Sequence, residues 1–132
     1  MTQNDEVKVL KFALMIAGIF SFVYGFGFLL IPGTLVKLSG GALVEAGWLR
    51  WSGGVLIAWA IGTVMVHGKP EKQNIFVTSL CLAHLFSGLG LLYSWMMKEF
   101  SAASWFVAVP TVILLILSAL LFWGRSKTKG IL

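Results

Sequence analysis

Few side chains in this chain could do chemistry, and Arg50 is the first of them, set between tryptophans and glycines in WLRWSGG (residues 48–54). A guanidinium presents a planar fork of donors that suits a carboxylate, a phosphate or a quinone-like oxygen. Gly53 and Gly54, one turn further on, would open space beside it, Glu45 offers a counter-charge, and Trp48 and Trp51 flank it. A plainer role is also open: an arginine near the end of an apolar helix reaches up to the headgroups while tryptophans mark the same level. Length places it. Residues 51–66 make about 24 Å of helix, short of a hydrocarbon core of about 30 Å. The helix must therefore begin before Arg50, which puts this side chain at the hydrocarbon boundary, where either role can be filled.

His84 is the second candidate. It falls near the middle of another apolar stretch, where an unpaired polar group is costly and turns toward the bundle interior. Cys81, Ser87 and Gly88 share its helix face at spacings of three and four. Ser21, Thr63 and Thr111 are expected at similar depth on neighbouring helices, so His84 reads either as a satisfied histidine that ties helices together or as a proton-sensitive or ligand-contacting group.

Other chemistries are disfavoured by what the sequence lacks. The five acids are Asp5, Glu6, Glu45, Glu71 and Glu99, none deep in a span, so paired-carboxylate hydrolysis has no partners. No GxSxG elbow accompanies the serines. Cys81 stands without a second cysteine, which removes thiol–disulfide chemistry within the chain. His67 and His84 are about 15 Å apart along the bundle axis, too far for shared haem ligation, and a metal would need more donors than Cys81 and His84 supply. No catalytic residue, metal or cofactor is assigned, and the reading leans toward a protein that is not an enzyme.

The elements that must position these residues follow from composition. Of 132 residues, 58% are hydrophobic, 14% aromatic and only 11% charged, against roughly 25% charged in an average soluble domain. Four apolar stretches predict membrane-crossing helices at about residues 7–31, 45–67, 74–97 and 101–124, because backbone groups in lipid must satisfy one another within a segment. The expectation is one all-α domain over residues 1–132: a four-helix transmembrane bundle, up-down-up-down, with short loops. Pro32-Gly33 ends the first helix, and the apolar connection at residues 34–43 is expected to lie in the headgroup zone. Lys8, Lys11, Lys69, Lys72, Arg125, Lys127 and Lys129 fall on the side of the termini, against Lys37, Lys98 and Arg50 on the other. That bias predicts both termini in the cytoplasm. The net charge of +5 is thus topogenic, and nucleic acid is not an expected partner.

Small residues recur every four positions in Ala13, Ala17, Ser21 and Gly25, in Gly54, Ala58 and Gly62, and in Ser79, Ala83 and Ser87. Such stripes let helices approach closely, first within the bundle and alternatively between copies of the chain. Phe20, Phe22, Tyr24, Phe26 and Phe28 crowd the first helix, where they could line an apolar pocket or face lipid.

The four short-looped helices, LLIPG (residues 29–33) and WLRWSGG resemble the small bacterial four-helix membrane proteins of the DoxX-like group. The resemblance implies a bacterial inner membrane and an association with respiratory or quinone chemistry. It carries over no catalytic residue, and only Arg50, Gly53 and Gly54 match its pattern. The small multidrug transporters share the size, but their transport rests on a carboxylate embedded in the first helix, and none is present here. The function expected from these residues is non-enzymatic: binding a lipid-like or other amphipathic molecule near Arg50, Glu45, Trp48, Trp51, Gly53, Gly54 and His84, or serving as an accessory subunit. The alternative is a small oligomeric transporter or channel with His84 as its proton-sensitive element. The expected partners are membrane lipids, further copies of the chain or a larger membrane complex.

Overall fold

The computed structural model describes residues 3–42 and 44–132, with side chains from residue 5 onward; Met1, Thr2 and Leu43, the last residue of the apolar connection, lie outside the described residues. Five helices follow in order, α1 (Gln3–Leu30), α2 (Pro32–Ser39), α3 (Ala46–Gly68), α4 (Asn74–Met96) and α5 (Ser104–Lys127), with no strand among the described residues. Four of them, all but α2, are long and apolar enough to cross a membrane. The outer surface agrees: Ile75 is 85% exposed and Met96 72%, a surface that water would not tolerate and hydrocarbon accepts. The chain is an all-α, multi-pass integral membrane protein.

Several helix boundaries differ from the spans expected above, and three of them have a clear local reason. α1 starts at Gln3 rather than near residue 7, because Asp5 and Glu6 in its first turn complement the positive end of the helix dipole and Lys8 pairs with Asp5 at 2.7 Å. It stops at Leu30, because Pro32 has no N–H to continue the ladder. The same proline opens α2 at its first turn, where the missing donor does no harm. The connection between the first two spans is therefore a short helix of its own. Gly40 ends it in the left-handed region (φ 68°), the conformation glycine adopts without penalty. α5 starts at Ser104 rather than near residue 101, because the preceding residues are held elsewhere: the Ala103 amide donates to the Ser39 carbonyl and the Ala42 amide to Ser101 Oγ, both at 2.7 Å.

The helices pack in the lateral order α3, α1, α5, α4, so that α1 and α5 are central while α3 and α4 are peripheral and scarcely approach each other. Both termini lie at one end of the bundle, where Gly124 of α5 rests against Leu10 of α1. The core belongs to that end. Leu10, Leu14, Val77, Leu80, Leu117 and Leu121 are its large buried members. There α4 and α5 are also joined by a polar chain, with Arg125 Nε donating to Thr78 Oγ1 at 2.7 Å and Thr78 donating to Asn74 Oδ1 at 3.2 Å. At this depth α3 and α4 meet through the rings of Trp59 and Phe76, 5.6 Å apart between centroids.

Of the three small-residue stripes, one is an interface. Ala13, Ala17, Ser21 and Gly25 are all buried. Gly54 and Ala58 face outward, as do Ser79 and Ser87. α3 instead approaches α1 through Gly53, where an added Cβ would stand 2.6 Å from the Gly25 carbonyl oxygen and 2.7 Å from the Leu29 nitrogen.

Candidate functional site

Arg50 is exposed on α3, and its Nη1 donates to the Leu29 carbonyl at 2.6 Å. That carbonyl lies in the last turn of α1, where Pro32 and the helix break at Ile31 leave acceptors without helical donors. A cation there also complements the negative end of the α1 dipole. Arg50 thus caps a neighbouring helix. Glu45, expected as its counter-charge, forms no ion pair with it; the one salt bridge among the described residues joins Lys8 and Asp5. Gly53 does not open space beside the guanidinium, because α1 occupies that space; Gly54 has open space, but on the outer face. Trp48 and Trp51 are both exposed, at the level of Arg50.

His84 is buried, with its Nδ1 2.9 Å from the Leu80 carbonyl one turn earlier in α4. A carbonyl can only accept, so Nδ1 carries the hydrogen. Two of the hydroxyls expected to serve it are engaged in the same manner on their own helices, Thr63 donating to the Trp59 carbonyl and Thr111 to the Val107 carbonyl, each at 2.7 Å. The physical reason is proximity: a hydroxyl or imidazole in a helix always has an i−4 carbonyl within reach, whereas a partner across the bundle must be placed by packing. No group of three or more metal-ligating side chains occurs among the described residues.

The feature that brings elements together lies in the half of the bundle away from the termini. Because α3 and α4 do not close on each other there, a cavity of about 630 Å³ remains between them, within the range of small-molecule sites. α1 contributes Phe20, Tyr24 and Phe28, at spacings of four that put them on one face. Their rings touch in sequence, with centroids 4.6 Å and 5.8 Å apart, which fixes this wall. Phe22 and Phe26, on the other side of α1, stack on each other instead. α5 supplies Phe106, Val107, Pro110 and Leu114. The rim is formed by Trp51 and Val55 of α3 and by Ser87 and Gly90 of α4, all exposed, so the mouth opens sideways between these two helices.

Above the cavity sits a roof. Leu35, Val36 and Ser39 of α2, with Val44, Phe100 and Ala102, cover it, and the bonds from Ala103 to Ser39 and from Ala42 to Ser101 lock the two connections together. No charged side chain lines the cavity. Of the residues singled out in the sequence, Phe20, Tyr24, Phe28, Trp51 and Ser87 reach it, whereas Arg50, Glu45, Trp48, Gly53, Gly54 and His84 do not. The residues missed include Ser39, Ser52, Phe106 and Pro110. Pro110 was the legible signal, a proline within a span whose other residues favour an unbroken helix.

No family model matches the chain, and no solved structure matches it. The chain is similar to a glycerol-3-phosphate acyltransferase of Maricaulis maris (strain MCS10), 32% identical over 114 residues, covering 81% of this chain and 51% of that protein. It therefore spans about half the length of that curated relative.

Proposed function

We propose that this protein is a non-enzymatic membrane protein that holds the hydrocarbon part of a lipid-like amphiphile in the cavity between α3 and α4. The observation that carries this reading is the lining: apolar side chains from all five helices, no charge, a bonded roof, and a mouth facing the lipid phase. The similarity to an acyltransferase points in the same direction, toward lipids. Glycerol 3-phosphate is itself an anion, and no cationic side chain lines the cavity to receive it, so the acyl portion is the part of that chemistry the site suits. The basic residues around the termini support a cytoplasmic location for both ends, in a bacterial inner membrane. Service as an accessory subunit, as the DoxX-like resemblance implies, is compatible with an occupied cavity.

The test is direct. Protein in phosphatidylcholine nanodiscs is analysed by native mass spectrometry, as wild type and with Val55→Trp and Leu91→Trp filling the cavity. Wild type is expected to retain lipid that the double variant loses. An identical lipid complement in both would overturn the reading.

A further inference from the structure

The cavity holds a polar feature that its apolar lining hides. Pro110 lies inside α5, and having no N–H it leaves the Phe106 carbonyl without its helical donor. Both residues line the cavity. Four hydroxyls line it too: those of Ser39 and Ser52 donate to the Val36 and Trp48 carbonyls of their own helices, while those of Tyr24 and Ser87 have no hydrogen-bond partner among the described residues. Tyr24 stands six residues before the end of α1, about 9 Å in, and the Phe106 carbonyl points from the first turn of α5 down the helix toward Pro110, six residues after its start. Ser87 is nine residues before the end of α4, about 14 Å in. This is below the headgroups, where lipid offers no water to satisfy a stranded acceptor.

Resting on the reading that the cavity takes a lipid, we infer that its occupant is an uncharged lipid bearing a hydroxyl group, held with that hydroxyl at the Phe106 carbonyl. The class follows from what the wall needs and offers. The Phe106 carbonyl needs a donor, while the Tyr24 and Ser87 hydroxyls offer hydrogens to an acceptor. A hydroxyl is both at once. An ester or ether only accepts, and an ammonium only donates and would bury a charge that no lining side chain neutralises. A long-chain alcohol or an acylated glycerol with a free hydroxyl has the required chemistry.

Two probes that differ by one hydrogen-bond donor test the inference: hexadecanol and its methyl ether, each offered to the full chain in phosphatidylcholine nanodiscs and counted by native mass spectrometry. Wild type should prefer the alcohol by about fivefold, the ratio one net hydrogen bond supports. Pro110→Ala restores the missing N–H, favours the helix, and should erase most of that preference; Tyr24→Phe with Ser87→Ala should lower occupancy by both probes and leave the preference in place, because both carry the acceptor oxygen. Equal occupancy by alcohol and ether in wild type, or an unchanged preference in Pro110→Ala, overturns the inference. The cavity itself is tested separately. If Val55→Trp with Leu91→Trp excludes both probes while wild type does not discriminate, the hydroxyl assignment alone falls; if the tryptophans exclude neither probe, the cavity reading falls with it.

Discussion

Arg50 and Leu29, 21 positions apart, are joined by a guanidinium-to-carbonyl hydrogen bond of 2.6 Å that ties the start of α3 to the end of α1. Arg50→Ala should destabilise the protein by about 1 kcal/mol, a charge-assisted bond discounted for exposure. Lipid retention should stay near wild type, because Arg50 lies outside the cavity. Thermal unfolding in detergent alongside lipid counting checks both halves; loss of bound lipid without loss of stability would make Arg50 a ligand contact instead.

Adjacent glycines should respond in opposite directions. Gly53→Ala forces a methyl group against the Gly25 carbonyl and should cost about 1–3 kcal/mol by overpacking. Gly54→Ala meets nothing within 4 Å and should be neutral or stabilising by up to about 1 kcal/mol through helix propensity. Paired melting curves would show it, and equal losses at both positions would mean that α3 is rotated from the orientation described.

His84→Leu should fold and melt within about 1 kcal/mol of wild type, since the Leu80 carbonyl keeps its helical donor when the imidazole is removed. His84→Ala should fall by about 2 kcal/mol or more, because it empties a buried volume. A pH-dependent ion flux in liposomes that His84→Leu abolishes would restore the transporter alternative.

Ser101→Ala removes the acceptor of the Ala42 amide and loosens the roof. Amide exchange around residues 40–45 should rise several-fold, and bound lipid should exchange faster, with little change in melting temperature. An unchanged lipid off-rate would show that the roof does not control access.

The four spans were legible because hydrocarbon imposes one simple demand on every residue in them, and that demand is visible as composition. α2 was less legible, though Pro32 and Gly40 are its start and stop signals, because eight residues carry too little periodicity to separate a helix from an apolar loop. Which of two neighbouring glycines meets α1 depends on the rotation of α3, and a stripe at Gly54, Ala58 and Gly62 suggested the wrong face. α3 begins before Arg50, as its length required, yet the partner of Arg50 is a backbone carbonyl that no side-chain pattern could reveal. The cavity was hidden for a different reason: it arises where α3 and α4 fail to pack, a property of neither segment alone. Only Pro110 within a span and the alternation of Phe20, Tyr24 and Phe28 with Phe22 and Phe26 hinted at it.

The lateral order α3, α1, α5, α4 also constrains how the molecule is born. Once α3 leaves the ribosome it can dock on α1 at Gly25 and Gly53, forming a settled pair while the rest is still being made. α4 emerges next with no helix waiting for it, since its broad neighbour is α5, the last to be synthesised. Biogenesis should therefore proceed as two hairpin-like units rather than as sequential addition, and nascent chains halted after α4 should be the ones that quality-control proteases find.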